Sequence, residues 1–417
     1  MTTLARRLGL GDAVAIGLGS MIGAGVFVVW GPAARAAGSW LVVSLAVAAV
    51  VAVCNAWSSA ALAARYPSAG GTYVYGRERL GQFVGYLAGW SFIVGKIASC
   101  AAMAMAIAAY AAPGSERVAA VVAVLVVTAL NLTGAQRSAG ASRVIVSIVL
   151  AVLAGVVVAG LAGGQGNGPP PELWSDAPSP YGILQGGGLI FFAFAGYARI
   201  ATLAEEVEAP ERTIPRAVAI TVGTVLGVYA VVAVLTLVTL GPEHLASVSD
   251  PVAAAADEVL SSAWVWALRG AAVLAAFGAL LNLVLGVSRT ALAMARDGYL
   301  PSQLARVNAR RVPQGAEIAV GLIVILLVLV VDLRGAIGFS SFGVLTYYAI
   351  ANASAWTLRG DWRWAGTVPV FGLAGCLILA WTLPWGSVLG GAAVIAVGAL
   401  AYLVRNLVAD AGSAAGR

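Results

Sequence analysis

The chain has 417 residues, of which 61% are apolar and 10% are charged, and its mean hydropathy is +0.93. Soluble domains average about 45–50% apolar and about 25% charged residues, so this composition excludes an ordinary soluble domain. It also excludes an intrinsically disordered chain, which needs low hydrophobicity. The formal charge is +6, but the arginines are scattered between apolar blocks, so we expect no nucleic-acid partner. An all-α integral membrane protein is the class that remains.

Long stretches with almost no charge predict twelve membrane-spanning helices, and so a lipid bilayer as the surroundings. The predicted spans are 13–34, 41–64, 82–111, 118–132, 144–161, 181–204, 217–240, 270–288, 318–331, 336–358, 364–383 and 385–404. Two spans contain a charge, Lys96 in the third and Arg199 in the sixth.

The placement of arginine predicts the orientation of these spans. With the amino terminus inside, 18 arginines fall in the inner segments and four in the outer ones. Cytoplasmic loops carry such an excess of basic residues, so we expect both termini in the cytoplasm. The first apolar run lacks a cleavage site and is interpreted as a retained span, not a signal peptide. The predicted location is a bacterial-type plasma membrane.

Cysteine and histidine residues give no sign of a metal site. Cys54, Cys100 and Cys376 lie inside apolar stretches, and His244 is the one histidine. They form no CxxC motif and no histidine pair, so neither zinc nor a disulfide framework is expected. No buried cluster offers a nucleophile with a base. We therefore expect no cofactor and no enzymatic activity.

The first span contains an unusual concentration of glycine, in GLGSMIGAGVF at 17–27. Each glycine costs about 1 kcal/mol in a helix interior, so the helix is predicted to unwind there. Non-helical backbone at membrane depth survives only inside protein or beside a cavity. The N-terminus of a half-helix presents free N–H groups and a positive dipole end to an anion. Close helix packing through small residues is the alternative interpretation.

The sixth span carries a matching interruption. Small residues break an aromatic run around 193–196, after the triplet Gly186-Gly187-Gly188. Spans one and six are five apart and must cross in opposite directions, which is typical of an inverted repeat with a binding site at two broken helices. The aromatic residues of this span, including Phe192, could instead be ordinary packing.

Four stretches resemble the amino acid–polyamine–organocation superfamily of permeases. GSMIGAGVF at 19–27 is similar to the signature of the first span, and ARYPSAGGTYVYGRERLG at 64–81 to the loop after the second. FFAFAGYARIATLAEEVEAPERTIPRA at 191–217 is similar to the sixth span and its following loop. SRTALAMARDGYLP at 288–301 resembles the loop after the eighth span. Together they stand in the family's order over nearly the whole chain.

The resemblance implies a fold and a function. The fold has two inverted five-helix repeats, 1–162 and 181–358, followed by two helices in 364–404, in a single transporter domain like the sodium-coupled leucine transporter. Its first and sixth helices are broken. The implied function is secondary-active transport of amino acids by alternating access. The oligomeric state stays open.

The resemblance also implies where the substrate binds. Backbone amides of the first span would hold its carboxylate: Gly23, Ala24 and Gly25. Backbone carbonyls beside the two breaks would hold its amino group: Met21, Ala193 and Ala195. Phe192 would close over the substrate, and Gly196 belongs to the same break.

Two departures from the family concern charge. Some proton-coupled members carry a lysine in span five, where this chain has Val149. Cationic amino acid members often have an acidic and an aromatic residue after a Gly-Trp pair in span three. Here Gly89-Trp90 is followed by Gly95-Lys96. A cation at that place argues against lysine or arginine as the substrate and favours a neutral amino acid.

Lys96 is the only lysine, and a charge near the bilayer centre is a functional candidate. It could exchange a proton during transport, which favours proton symport. It could instead tether a broken helix through its carbonyls, or contact the substrate carboxylate. Arg199 is expected to pair with a carboxylate such as Glu205 or with exposed carbonyls, whereas Glu206 could belong to an inner gate or to a solvated loop. Exchange or export without proton coupling is the main alternative, and a non-transporting sensor or accessory subunit is a weaker one.

Overall fold

The computed structural model describes residues 8–66, 70–134, 139–162, 179–197, 199–200, 207–308, 312–358 and 366–415. Within these ranges the regular structure is helical. The helices up to the middle of the chain are α1 (Leu10–Met21), α2 (Gly25–Val28), α3 (Trp30–Ala37), α4 (Leu41–Arg65), α5 (Thr72–Leu80), α6 (Gln82–Ala111), α7 (Glu116–Leu132) and α8 (Ala139–Ala162). Those that follow are α9 (Pro180–Phe194), α10 (Pro210–Ser247), α11 (Pro251–Val259), α12 (Ser262–Arg296), α13 (Gln314–Val330), α14 (Leu333–Trp356), α15 (Val368–Thr382) and α16 (Trp385–Ala415).

The described helices include many that are long and apolar enough to span a bilayer. Seven helical segments meet that criterion, and three shorter apolar helices accompany them. Each of the twelve predicted spans overlaps at least one helix of the structure. The chain is therefore a multi-pass membrane protein with an all-α fold.

Local chemistry explains where several helices begin or bend. Ser179 caps α9 by accepting a hydrogen bond from the amide of Gly182, and Asp332 caps α14 in the same way. α10 is kinked at Gly241, whose φ of +71° suits glycine. Pro242 follows it and has no N–H group to continue the helical bonding.

The first and sixth predicted spans lie side by side and run in opposite directions. Leu8, before α1, forms a bridge with Val207, which follows the sixth span. At the other end, Gly182 in the first turn of α9 packs against the carbonyl oxygen of Ala36 in α3. The residue before α1 thus lies beside the residue that follows the sixth span. The end of α3 lies beside the start of that span. The predicted antiparallel orientation of these two spans is present in the structure.

α6 lies at the centre of the bundle. In its most apolar stretch 78% of the residues are buried, against 22% in α16 at the periphery. It crosses α14 at Gly95 and Gly343, where a Cβ added to Gly95 would stand 3.1 Å from the Gly343 backbone. Small residues allow two helices to approach this closely. Lys96 follows Gly95 directly, so this crossing fixes the position of the lysine.

Candidate substrate-binding site

The first span is interrupted at the predicted place. α1 ends at Met21, α2 begins at Gly25, and the three residues between them are not helical. A Cβ added to Gly25 would stand 2.7 Å from the Cα of Ala193, and one added to Gly23 would stand 2.8 Å from the Cβ of Ala279. The glycines therefore serve both roles considered from the sequence, unwinding and close packing.

The sixth span is interrupted beside it. α9 ends at Phe194, and 195–197 form a turn. Gly196 in this turn packs against the backbone of Ser20, close to the end of α1. Glu205 and Glu206, including the predicted partner of Arg199, lie outside the described residues.

Tyr229 of α10 connects the two breaks. Its hydroxyl oxygen lies 2.7 Å from the carbonyl oxygen of Met21 and 2.9 Å from that of Ala193. A phenol has one proton, so it donates to one of these carbonyls at a time. Its ring packs edge-on against Trp30 and Phe194. Sequence reasoning missed this residue, because nothing local in α10 marks it as a neighbour of both breaks.

A second pair of donors meets the carbonyl oxygen of Ala195. The Lys96 ammonium donates to it at 3.1 Å, and the Tyr348 hydroxyl of α14 does so at 3.3 Å. A carbonyl oxygen has two lone pairs, and both have a donor here. Two of the three carbonyls predicted to hold an amino group thus receive a donor from the protein at any one time, and the third lies within reach of the Tyr229 hydroxyl.

A cavity of about 330 Å³ lies next to the breaks. Its lining includes four of the predicted site residues: Lys96, Phe192, Ala195 and Gly196. The other five are buried in the contacts between the helices and do not line it: Met21, Gly23, Ala24, Gly25 and Ala193. The structure therefore places the lysine and the sixth-span residues at the cavity and the first-span amides behind it.

The cavity lies on one side of the breaks. Ser20 precedes the break in the first span and Gly196 is in the break of the sixth, and both line it together with Tyr73 of α5. This is the side on which Leu8 and Val207 meet, which the arginine distribution predicts to be cytoplasmic. The cavity thus extends from the breaks toward the predicted inner face.

The lining of the cavity is basic. Lys96, Arg199 and Arg289 contribute to it, and no Asp or Glu is among the described lining residues. The Lys96 ammonium donates to the Ala195 carbonyl, and no ion pair of Lys96 occurs within the described ranges. The hydrogen bond from Lys96 to Ala195 agrees with one role that the sequence suggested for the lysine, which is to tether a broken helix through its carbonyls. The same side chain lines the cavity.

Tyr73, which lines the cavity, is held by Asp297, which follows α12. Its hydroxyl donates to the Asp297 carboxylate at 2.5 Å. Burial and the neighbouring carboxylate raise the pKa of the Tyr73 hydroxyl well above its usual range. The hydroxyl is therefore a donor at physiological pH and fixes α5 to the end of α12.

One charged residue near the bundle core was not predicted as part of any site. Glu317 lies in the first turn of α13 and is fully buried. The predicted ninth span begins at 318, which left this carboxyl just outside the membrane. The sequence signal that could have identified Glu317 is a single acidic residue directly before an apolar run.

Interrupted antiparallel helices beside a cavity, inside a bundle of apolar helices, are features of a membrane transporter. The sequence model of the amino acid permease family matches residues 8–405, so the chain belongs to that family. Its membership agrees with the superfamily that the motifs resemble.

Individual relatives agree with this class. The chain is 56% identical over 407 residues to uncharacterised transporters of Mycobacterium tuberculosis and Mycobacterium bovis, covering 97% of this chain and 92% of each relative. It is 31% identical over 382 residues to vacuolar cationic amino acid transporter 2 of Arabidopsis thaliana, covering 85% of this chain and 60% of that protein. It is 30% identical over 393 residues to cationic amino acid transporter 4 of Homo sapiens, covering 86% and 60%.

Proposed function

We propose that the chain is a secondary-active transporter that carries a neutral amino acid across the plasma membrane by alternating access, in symport with protons. The observation that carries this proposal is the cavity beside two antiparallel, interrupted helices. In the proposed fold, 1–162 and 181–358 are inverted repeats, 364–404 adds two helices, and both termini are cytoplasmic. The conformation described here would then be open toward the inside.

The charge of the cavity supports a substrate without net positive charge. Lys96 and Arg289 line it, and its described lining contains no carboxylate to balance a cationic side chain. Like charges at short distance in a poorly screened site repel strongly. The plant and human relatives are called cationic amino acid transporters, so we propose that the substrate of this chain differs from what those names say.

Substrate binding in this proposal uses the backbone at both breaks. The amides of Gly23, Ala24 and Gly25 would hold the carboxylate after a rearrangement that opens them to the cavity. The amino group would replace the donors that now occupy the carbonyls of Ala193 and Ala195. A zwitterion needs donors at one end and acceptors at the other, and an unwound backbone supplies both.

Lys96 is the proposed residue through which the substrate and the proton are coupled. Its ammonium donates to the Ala195 carbonyl, which is one of the acceptors proposed for the substrate. A substrate amino group and the lysine would compete for the same oxygen. In symport the proton must stay on Lys96 while the substrate is bound. The displaced ammonium would therefore turn to the substrate carboxylate, and it would release its proton only after the substrate has left.

Uptake by purified protein in proteoliposomes tests this function. We expect counterflow of one or more neutral amino acids, stimulation by an inward proton gradient, and no counterflow of lysine or arginine. Lys96→Met keeps the length of the side chain and should abolish the gradient stimulation. Arg117→Met, which removes a basic group from an exposed position on α7, is the matched control and should behave like the parent.

The outcomes separate the alternatives. Counterflow without any response to the gradient would identify an exchanger. Stimulation that survives in Lys96→Met would remove Lys96 from the coupling. Absence of counterflow for every amino acid would overturn the assignment as a transporter.

A further inference from the structure

Glu317 is a buried acid that the proposed transport site does not use. It and Lys96 are the two charged side chains among the buried residues of the described ranges. Glu317 has no exposed surface at all, and no basic nitrogen of the described residues lies in ion-pair contact with it. An ionised carboxylate in such surroundings is costly unless it is paired or fully hydrogen-bonded.

The hydrogen bonding of Glu317 is incomplete in a specific way. The side-chain amide of Asn131 in α7 donates to its Oε2 at 3.4 Å and to the carbonyl of Leu281 at 3.3 Å. The other carboxyl oxygen, Oε1, has no partner among the described residues, and neither has Oδ1 of Asn131. Both orphaned atoms are acceptors when the carboxyl is ionised. The Ser288 hydroxyl also faces the carboxyl, but it donates its proton to the carbonyl of Val284 at 2.8 Å. A proton on Glu317 removes the uncompensated charge and turns one of its acceptor oxygens into a donor.

The groups that face Glu317 come from three helices and a short turn. α7 contributes Asn131, α12 contributes Ser288 and Arg289, and α6 contributes Cys100. The turn Ser302–Ala305, which also packs on α13, contains no titratable side chain. Arg289 is exposed and lines the cavity. The carboxyl is thus surrounded by neutral groups, with one cation further out.

The neighbours of Glu317 connect it to the cavity. Cys100 lies one helical turn after Lys96 on α6 and is within electrostatic range of both Lys96 and Glu317. Arg289 lines the cavity, and its neighbour in the chain, Ser288, faces the carboxyl. Ser288 and Cys100 thus connect the surroundings of the acid to residues that line the cavity, whereas Glu317 itself is not among the lining residues.

We propose that Glu317 is a proton-binding site of this transporter, that it is protonated in the conformation described here, and that its deprotonation is a step of the coupled cycle. This inference rests on the proposed proton symport and adds a second group to it. In the step, a movement admits water to the carboxyl, the O–H bond of the carboxylic acid breaks, and a water molecule accepts the proton. The carboxylate that remains would be stabilised only after a movement that brings it water or a cation, so its charge state is linked to the conformation.

Infrared spectroscopy of the reconstituted full-length protein tests the protonation directly. The parent should show a C=O stretching band of a protonated carboxyl near neutral pH, and Glu317→Gln should lose it. Glu258→Gln, which changes an exposed carboxyl on α11, is the matched control and should retain the band. A parent without such a band, or a band that survives in Glu317→Gln, would overturn the protonation.

Transport assays distinguish a failure of this inference from a failure of the proposed function. Glutamine imitates the neutral acid, so Glu317→Gln should retain amino acid counterflow and lose all stimulation by the proton gradient. Glu317→Asp keeps an ionisable group and should retain part of the stimulation, which also guards against a folding defect in the glutamine variant. Full stimulation in Glu317→Gln would overturn the inference. Absence of counterflow in the parent would instead defeat the proposed function, while the infrared result would still decide the protonation.

Discussion

The hydroxyl of Tyr229 lies 2.7 Å from the carbonyl oxygen of Met21, which joins α10 to the break in the first span. The same hydroxyl reaches the carbonyl of Ala193, 2.9 Å away in α9. A single side chain thus gives both interrupted helices a polar partner that water would otherwise have to supply.

Replacing Tyr229 with phenylalanine should destabilise the protein by about 1–3 kcal/mol, because buried carbonyl groups lose their donor while the ring remains. Amino acid counterflow should fall as well, since both breaks would be less well ordered. Thermal unfolding in detergent and counterflow in proteoliposomes measure the two effects. Tyr402→Phe removes a hydroxyl with no hydrogen bond among the described residues and serves as the control. Equal effects of the two changes would contradict the assigned role.

Gly25→Ala should impair transport and stability. The new methyl group would stand 2.7 Å from the Cα of Ala193, so α2 and α9 would have to separate. Overpacking of this kind costs about 1–3 kcal/mol. The control is Gly223→Ala in α10, where nothing lies within 4 Å of the added Cβ; it should be neutral or slightly stabilising. Unfolding temperature and counterflow would show the contrast, and a neutral Gly25→Ala would refute the close contact.

Ala209→Gly should stabilise the protein. Ala209, before α10, has φ 44° and ψ 60°, a left-handed conformation that costs an L-residue about 1–2 kcal/mol and glycine far less. The opposite sign is expected for Ala401→Gly in α16, where glycine costs about 1 kcal/mol in a helix interior. Thermal unfolding compares the two variants, and counterflow should be unchanged in Ala209→Gly. A lower unfolding temperature for Ala209→Gly would contradict the prediction.

Tyr73→Phe should change how stability depends on alkaline pH. Because the pKa of Tyr73 is raised in the folded protein, the unfolded chain loses this proton first, from about pH 10 upward. The stabilisation is therefore complete below that pH and is lost as the pH rises toward the folded pKa. Between pH 9 and 11 the unfolding temperature of the parent should fall more steeply with pH than that of Tyr73→Phe. Parallel slopes would show that the folded protein does not hold the Tyr73 proton more tightly than the unfolded chain does.

The breaks in the spans could be predicted because their causes are local. Four glycines within nine residues make a continuous first helix costly wherever the chain folds, and the structure ends α1 at Met21. The bounds predicted for the third span, 82–111, agree with α6. The unpaired charge of Lys96 was also visible in the sequence.

The partners at the breaks could not be predicted, because they come from distant helices. Tyr229 and Tyr348 lie in α10 and α14, and a tyrosine in an apolar run does not reveal which carbonyl it reaches. Glu317 was missed for a similar reason: its contact with Asn131 joins α13 to α7, 186 residues away in sequence. Local patterns predict where a helix breaks, whereas the groups that satisfy the broken ends depend on the packing of the whole bundle.

The bridge between Leu8 and Val207 has a mechanical consequence. The amide of Glu208 donates to the carbonyl of Leu8 at 3.0 Å, so the backbone before α1 is fastened to the backbone after the sixth span. A tilt of α1 would then displace the backbone at Val207 and Glu208, which leads directly into α10. The first and seventh predicted spans are thus tied together at their starts by backbone hydrogen bonding, whatever side chains occupy these positions.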